Sequence, residues 1–202
     1  MLGLFMVLPV LPVSALEITG ATPFLLGLAI GIYGLSQAAL QIPLGLLSDR
    51  IGRKQVIGLG LGLFIAGSLI AGFAENIHVL ILGRFMQGCG AIASSLLALL
   101  SDLTRVDQRA KAMALVGIAI AGSFGLSLIL GPLISSYVGL SGIFFLTAAL
   151  GLLGLVILLL FIATPQVRSI NLDTKVQKNL IGVVLGNQGL WRLNLSIFVS
   201  HY

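Results

Sequence analysis

Residues Gly45–Lys54 read GLLSDRIGRK and separate two long apolar runs with a short, densely charged sequence. The charged members are Asp49, Arg50, Arg53 and Lys54. Such charges are costly inside a bilayer. The stretch therefore predicts a short loop at a membrane surface between two spanning helices. Gly52 fits the tight turn into the second helix, since glycine adopts backbone conformations that other residues disfavour.

The composition of the 202 residues supports a membrane protein. Apolar residues make up 58% of the chain and charged residues only 8%, and the mean hydropathy is +1.15. Soluble domains carry about 25% charged residues, so this chain could not clothe a surface that faces water. The net charge of +5 does not indicate a nucleic-acid partner, because the cations sit at the ends of apolar segments.

The apolar runs are near the roughly 20 residues that span a bilayer as a helix. They predict an all-α polytopic membrane protein with six spanning helices, then a linker at 164–190 and the start of a seventh helix at 191–202. A signal peptide is the alternative for the first run, but that run lacks a basic leader and a small-residue cleavage site. Since it begins without a polar leader, we expect its front to be missing. The six predicted spans are about 1–16, 23–47, 55–74, 77–100, 110–138 and 141–163.

The basic residues predict the orientation, because Lys and Arg concentrate in cytoplasmic loops. Of the 11 Lys and Arg residues, all but Arg84 fall in alternate connections, those after the second, fourth and sixth spans. The opposite connections carry Glu17 and Glu75 and no basic residue. We therefore expect the N-terminus and the linker at 164–190 to be cytoplasmic, in a multi-pass protein of the plasma (inner) membrane.

Arg84 is the exception, seven residues into the fourth span, or about 10 Å along a helix. A charge at that depth is usually paired inside the bundle or functional, although a long side chain could also reach the head groups. Polar residues near it predict a cavity lining. Tyr33, Gln37 and Gln41 recur every four positions and share one helix face, and Gln87 follows Arg84 by three. Hydrogen bonding between packed helices would explain the same residues.

The pattern G-x-L-x-D-R-x-G-R-K at Gly45–Lys54 resembles the loop between the second and third helices of major facilitator superfamily transporters. The resemblance covers nearly the whole chain and implies the N-terminal six-helix half of that fold, whose C-terminal half is absent here. In the family this loop clasps the two halves in the outward-facing state. The resemblance thus implies a conformational-switch role for the loop, with Asp102 as the acidic partner of Arg53. The loop residues concerned are Gly45, Asp49, Arg50, Gly52, Arg53 and Lys54.

Two further motifs resemble those of proton-coupled members. LGRFMQGCGA (residues 82–91) is similar to the arginine motif of the fourth helix, which implies a role for Arg84 in proton coupling. Gly131 and Pro132 resemble the glycine-proline motif of drug/proton antiporters and predict a bend in the fifth helix, but the motif ends GPLISS, with Ser135 and Ser136 in place of glycines.

The resemblance implies a proton-coupled exporter of a small molecule that works by alternating access. Its partners would be the lipid bilayer, a small-molecule substrate, protons and the missing half. Uptake or facilitative transport by the same fold is the alternative, and the sequence predicts neither a cofactor nor a metal site.

Two other classes of protein fit less well. An intramembrane protease would use Ser141 in GLSG, but only His201 follows it as a possible base. A membrane scaffold would need neither a buried arginine nor a polar stripe. The glycine pairs Gly27/Gly31 and Gly58/Gly62 have the spacing of close helix packing, and the single Cys89 is interpreted as a small packing residue.

Overall fold

The computed structural model describes residues 2–14, 18–90, 92–162, 187–192 and 196. The chain divides into two compact units, Met1–Pro165 and Gln166–Tyr202. In the second unit, residues 188–192 are helical. Residues 164–186 of the predicted linker, most of the seventh-helix start, Glu17 and His201 lie outside the described residues.

Within the described residues, the first unit contains six helices and one short 3₁₀ turn. Beyond one isolated bridge between Thr19 and Asn76, the described residues form no β-structure, which confirms the all-α prediction. Four helical stretches are long and apolar enough to cross a membrane: Pro23–Ile51, Arg53–Gly72, Ile77–Leu103 and Val106–Phe161. The helices are α1 (Leu2–Ser14), α2 (Pro23–Ile51), α3 (Arg53–Gly72), α4 (Ile77–Cys89), α5 (Ala93–Leu103) and α6 (Arg109–Phe161), and the 3₁₀ turn is Val106–Gln108.

Local sequence explains where several helices begin. The Thr22 hydroxyl accepts a hydrogen bond from the Leu25 N–H at 3.2 Å, and Pro23 occupies the first turn of α2. The Asn76 side chain accepts from the Val79 N–H at 3.0 Å at the start of α4. Both are side-chain caps that satisfy otherwise unpaired N–H groups.

Gly45–Lys54 is not the loop that the charges suggested. Helix α2 continues through the charged residues to Ile51, and α3 begins at Arg53. Only Gly52 interrupts them, with φ 113° and ψ 137°, a conformation that favours glycine. The charges end the apolar run without ending the helix.

The predicted fourth span is divided into α4 and α5. The helix stops at Cys89, Gly90 has φ −76° and ψ 27°, and α5 starts at Ala93. Glycine costs a helix about 1 kcal/mol relative to alanine, and Gly90 lies against α3, where an added Cβ would meet the Gly60 carbonyl oxygen at 2.4 Å. At Gly90 the helix is interrupted, and the backbone comes into close contact with α3.

The fifth and sixth predicted spans both lie in α6, in which Gly139 has non-helical dihedrals (φ 66°, ψ −173°). Below, 109–138 and 140–161 are its first and second segments. Gly131 and Pro132 keep helical dihedrals, so the backbone is not broken at the predicted bend, and the break at Gly139 lies between the predicted fifth and sixth spans. Gly131 instead lets α1 approach closely, since a Cβ there would lie 2.9 Å from the Met6 carbonyl oxygen.

Close helix packing occurs at other glycines than the predicted pairs. Among the described residues, nothing lies within 4 Å of a Cβ built at Gly27, Gly31 or Gly62. By contrast, a Cβ on Gly67 of α3 would lie 2.7 Å from the Gly83 carbonyl oxygen of α4. The main core joins α1, α2, α3, α4 and the second segment of α6 through Met6, Val7, Leu26, Ala29, Ala71, Leu80, Ile143 and Phe144.

Candidate functional site

Arg84 lies in α4 at the centre of the first unit and is fully buried, with 0% of its surface exposed. Its Nε donates a hydrogen bond to the Ala29 carbonyl oxygen of α2 at 3.2 Å. Its Nη1 donates to Gln87 Oε1 at 2.9 Å. The guanidinium also lies over the Tyr33 ring, 4.8 Å from the ring centre, where the negative face of the ring attracts a cation.

Gln87 extends the network to a third helix. Its Nε2 donates to Ser68 Oγ at 2.7 Å, and Ser68 Oγ donates to the Phe64 carbonyl oxygen of α3 at 2.7 Å. The buried polar groups of α2, α3 and α4 are thus joined around one positive charge. Arg84 does not reach toward a head group, so the snorkelling interpretation does not fit its position.

The hydrogen-bonding capacity of the Arg84 guanidinium is only partly used. Within the described part of the chain, Nη2 is buried and has no hydrogen-bond partner, and no carboxylate forms an ion pair with Arg84. The charge is balanced only by a carbonyl, an amide and an aromatic ring. A buried donor without a partner is unfavourable, and since Arg84 is 0% exposed, an oxygen ligand would reach Nη2 only if the helices moved to admit it.

The polar stripe of α2 is only partly joined to this network. Tyr33 contacts Arg84, whereas Gln37 and Gln41 lie partly buried one and two turns further along α2. Gln41 contributes its backbone carbonyl, which accepts a hydrogen bond from Ser94 Oγ at 3.2 Å. Among the described contacts, neither glutamine side chain is hydrogen-bonded to Arg84 or Gln87.

Small residues bring α2 and α4 together, and their spacing in the sequence does not predict this contact. Ser36 is buried, and its hydroxyl lies 3.2 Å from the Phe85 carbonyl oxygen of α4. A Cβ on Gly88 would lie 1.9 Å from Ser36 Oγ, so only glycine fits there. The signal was present in the sequence as a serine beside the polar stripe and a glycine beside Gln87.

A second polar group, the charged cluster, lies where α2, α3 and α5 end or begin. Arg53 Nη1 pairs with Asp49 Oδ1 at 2.9 Å, and Arg53 Nε donates to Asp102 Oδ2. Arg53 Nη1 also lies 3.5 Å from Ser48 Oγ. The structure thus pairs Arg53 with Asp102, as the resemblance implied. Asp49 contacts Arg53 while its side chain stays 44% exposed.

The other residues of the predicted loop have different surroundings. Lys54 Nζ donates to the carbonyl oxygens of Leu159 and Ile162 at 3.2 and 2.7 Å, which caps the end of α6 with a positive charge. Arg50 is exposed. At Gly45, a Cβ would lie 3.2 Å from Ser94 Oγ, so this glycine allows α2 and α5 to approach.

Comparison with known proteins identifies a family whose model matches almost the whole chain. Residues 1–201 match the Major Facilitator Superfamily model. The inner membrane transport protein YajR of Escherichia coli is 45% identical over 201 residues, which cover 100% of this chain and 44% of that protein. The class B tetracycline resistance protein of Escherichia coli is 32% identical, with 91% of this chain and 47% of that protein covered.

The quinolone resistance protein NorA of Staphylococcus aureus is 28% identical, with 98% and 49% covered. The chain therefore spans about half the length of each of these relatives.

Proposed function

Because this chain belongs to the major facilitator superfamily of membrane transporters, and so is not an enzyme, we propose that it forms one half of a proton-coupled exporter of a small molecule. Two relatives are named for resistance to tetracycline and to quinolones, which favours export of a drug-like compound. The proposed substrate pathway runs between this half and a second one, since major facilitator transporters place their sites between two halves.

The buried guanidinium of Arg84 is the observation that carries this proposal. Arginine stays charged in proteins, so Arg84 would not carry the proton itself. It would act as a fixed positive charge that attracts a carboxylate entering from the second half or from the substrate. Protonation of that carboxylate would remove the attraction. The partnerless Nη2 is the donor that such a carboxylate would meet.

The charged cluster would set the balance between the outward-facing and inward-facing states. Asp49 is held by Arg53 yet remains partly exposed at the end of α2, so it could also contact the second half. A contact made in only one state shifts the equilibrium toward that state by its own free energy. The cluster therefore supports a switching role and not only a role in membrane topology.

Transport by a protein with both halves, reconstituted in vesicles, tests the role of Arg84. Tetracycline and norfloxacin serve as probes, and an imposed proton gradient drives the reaction. We expect Arg84→Ala to abolish gradient-driven transport and Arg84→Lys to restore only part of it, because lysine is a compact point charge without the guanidinium fork.

Arg105→Ala is the matched control, because this side chain is 89% exposed. Each variant must insert and stay monodisperse before its transport is compared. Normal gradient-driven transport by Arg84→Ala would refute the coupling role. A transport rate of the parent protein that does not depend on the proton gradient would instead support the facilitative alternative.

Asp49→Asn tests the switch. It keeps the size of the side chain and removes its charge, so we expect slower interconversion of the two states at unchanged insertion. The rate is measured by the accessibility of reporter cysteines on each side of the membrane. An interconversion rate equal to that of the parent protein would leave Asp49 with a topological role alone.

A further inference from the structure

A groove of about 830 Å³ lies between α3 and the second segment of α6. Lys54 and Gln55 line one end, Gly58 and Gly62 lie along α3, and Leu155 and Leu159 belong to α6. Leu59 and Leu159, which also line it, are 62% and 57% exposed. Apart from Lys54 and Gln55 its lining is apolar, which suits a hydrocarbon chain.

The groove exists because two glycines leave it empty. Gly58 and Gly62 stand one helical turn apart on α3. A Cβ on Gly58 would come no nearer than 3.9 Å to Leu155 Cδ1, and one on Gly62 would meet nothing within 4 Å among the described residues. Gly62 therefore contacts no other described helix, Gly58 only borders Leu155 and Leu158 of α6, and the space that the missing side chains leave is open.

The groove has the length of one leaflet. Lys54 and Leu63 are nine residues apart on α3, which is about 14 Å of helix. The hydrocarbon core of a bilayer is about 30 Å thick, so the groove extends from the head-group level at Lys54 to near the middle of the membrane. An acyl chain of a phospholipid in that leaflet would run along it.

Lys54 supplies charge at the head-group end. Its ammonium is held in place by the carbonyl oxygens of Leu159 and Ile162. An ammonium has three donors, and within the described residues no carboxylate pairs with it. One N–H therefore remains for a ligand. Basic pockets between spanning helices on the cytoplasmic side bind anionic lipid head groups.

We propose that this groove is a binding site for one anionic phospholipid, with an acyl chain along Gly58 and Gly62 and the phosphate at Lys54. The site depends on the chain spanning a membrane and not on which substrate is transported. It would tie the start of α3 to the end of α6 through a lipid.

Native mass spectrometry of the purified full chain, titrated with phosphatidylglycerol or with phosphatidylcholine, tests the site. We expect one phosphatidylglycerol to bind about fivefold more tightly than phosphatidylcholine, from about 1 kcal/mol for one basic residue at the surface. Lys54→Gln should remove that preference. Gly62→Leu should weaken the binding of both lipids, because its side chain fills the groove.

Two control variants match these changes. Lys111→Gln removes an exposed basic charge outside the groove, and Gly154→Leu fills open space on α6 outside the groove. Both should bind phosphatidylglycerol as the parent chain does. The proposal is wrong if Lys54→Gln keeps the preference, or if a monodisperse Gly62→Leu variant binds both lipids unchanged. Because the readout is lipid binding, a failure here leaves the transport proposal untouched, and a transport defect does not affect this result.

Discussion

Replacing Gly67 with alanine should separate α3 from α4 and destabilise the protein. The new Cβ would lie 2.5 Å from the Gln87 nitrogen and 2.7 Å from the Gly83 carbonyl oxygen, both rigid backbone atoms. Favourable contact between carbon atoms begins near 3.5 Å, so the helices must move apart by about 1 Å, and each contact in between then loses roughly a quarter to a half of its attraction.

The expected loss of stability has two sources, overpacking and the weakening of one hydrogen bond. Forcing an extra carbon into a packed interior costs about 1–3 kcal/mol. The shift also displaces Gln87, whose amide bonds Ser68 at 2.7 Å, and hydrogen bonds between membrane helices contribute about 0.6 kcal/mol on average. We expect a loss of about 2–3 kcal/mol, or roughly 5–10 °C in melting temperature for a chain of this size.

The assay is the fraction of purified protein that stays monodisperse in detergent after heating. Gly154→Ala is the control, because a Cβ there meets nothing within 4 Å among the described residues. It should melt at the temperature of the parent protein or slightly above, since alanine is the better helix former. If the Gly67→Ala and Gly154→Ala variants melt at the same temperature, the close crossing of α3 and α4 does not stabilise the bundle.

Two further predictions concern the charged surface. In a double-mutant cycle of stability, Arg53→Gln and Asp102→Asn should show a coupling free energy of about 0.2–1 kcal/mol, because both side chains are partly exposed to a screening solvent. A coupling free energy of zero would mean that the pair adds nothing measurable to stability. With Cys89 replaced by serine, an impermeant maleimide added outside intact cells should label Glu75→Cys and not Lys111→Cys, following the bias of basic residues toward the cytoplasm. Labelling of Lys111→Cys from outside would overturn the orientation.

The sequence predicted which residues are unusual better than it predicted what they touch. Arg84 stands out because its neighbours are apolar, and Gln87 follows from helical spacing alone. Its other partner, the Ala29 carbonyl oxygen, carries no side-chain signal and depends on how α2 and α4 are aligned. Ser68 was missed for the same reason, since one serine in an apolar helix does not reveal what lies opposite it.

Glycines were predicted less well because spacing along one helix says nothing about the opposing surface. Gly27 and Gly31 have the expected spacing and face open space, whereas Gly67 and Gly83 are widely separated in sequence and touch. The helix boundary near Gly45–Lys54 was misplaced for a related reason. Apolar character marks where the hydrocarbon ends, but a helix can continue past that depth until a residue such as Gly52 turns the backbone.

The partners of Arg84 also bear on how the chain enters the membrane during synthesis. An arginine in an isolated spanning helix raises the cost of insertion by up to about 2.5–3.5 kcal/mol on the translocon scale, the value at the helix centre. Its hydrogen bonds reach Ala29 in α2 directly and Ser68 in α3 through Gln87, and both helices precede α4 in the chain. The hydrogen-bond acceptors in α2 and α3 are therefore synthesised before the arginine that uses them. We expect α4 to insert efficiently behind its two predecessors and poorly on its own.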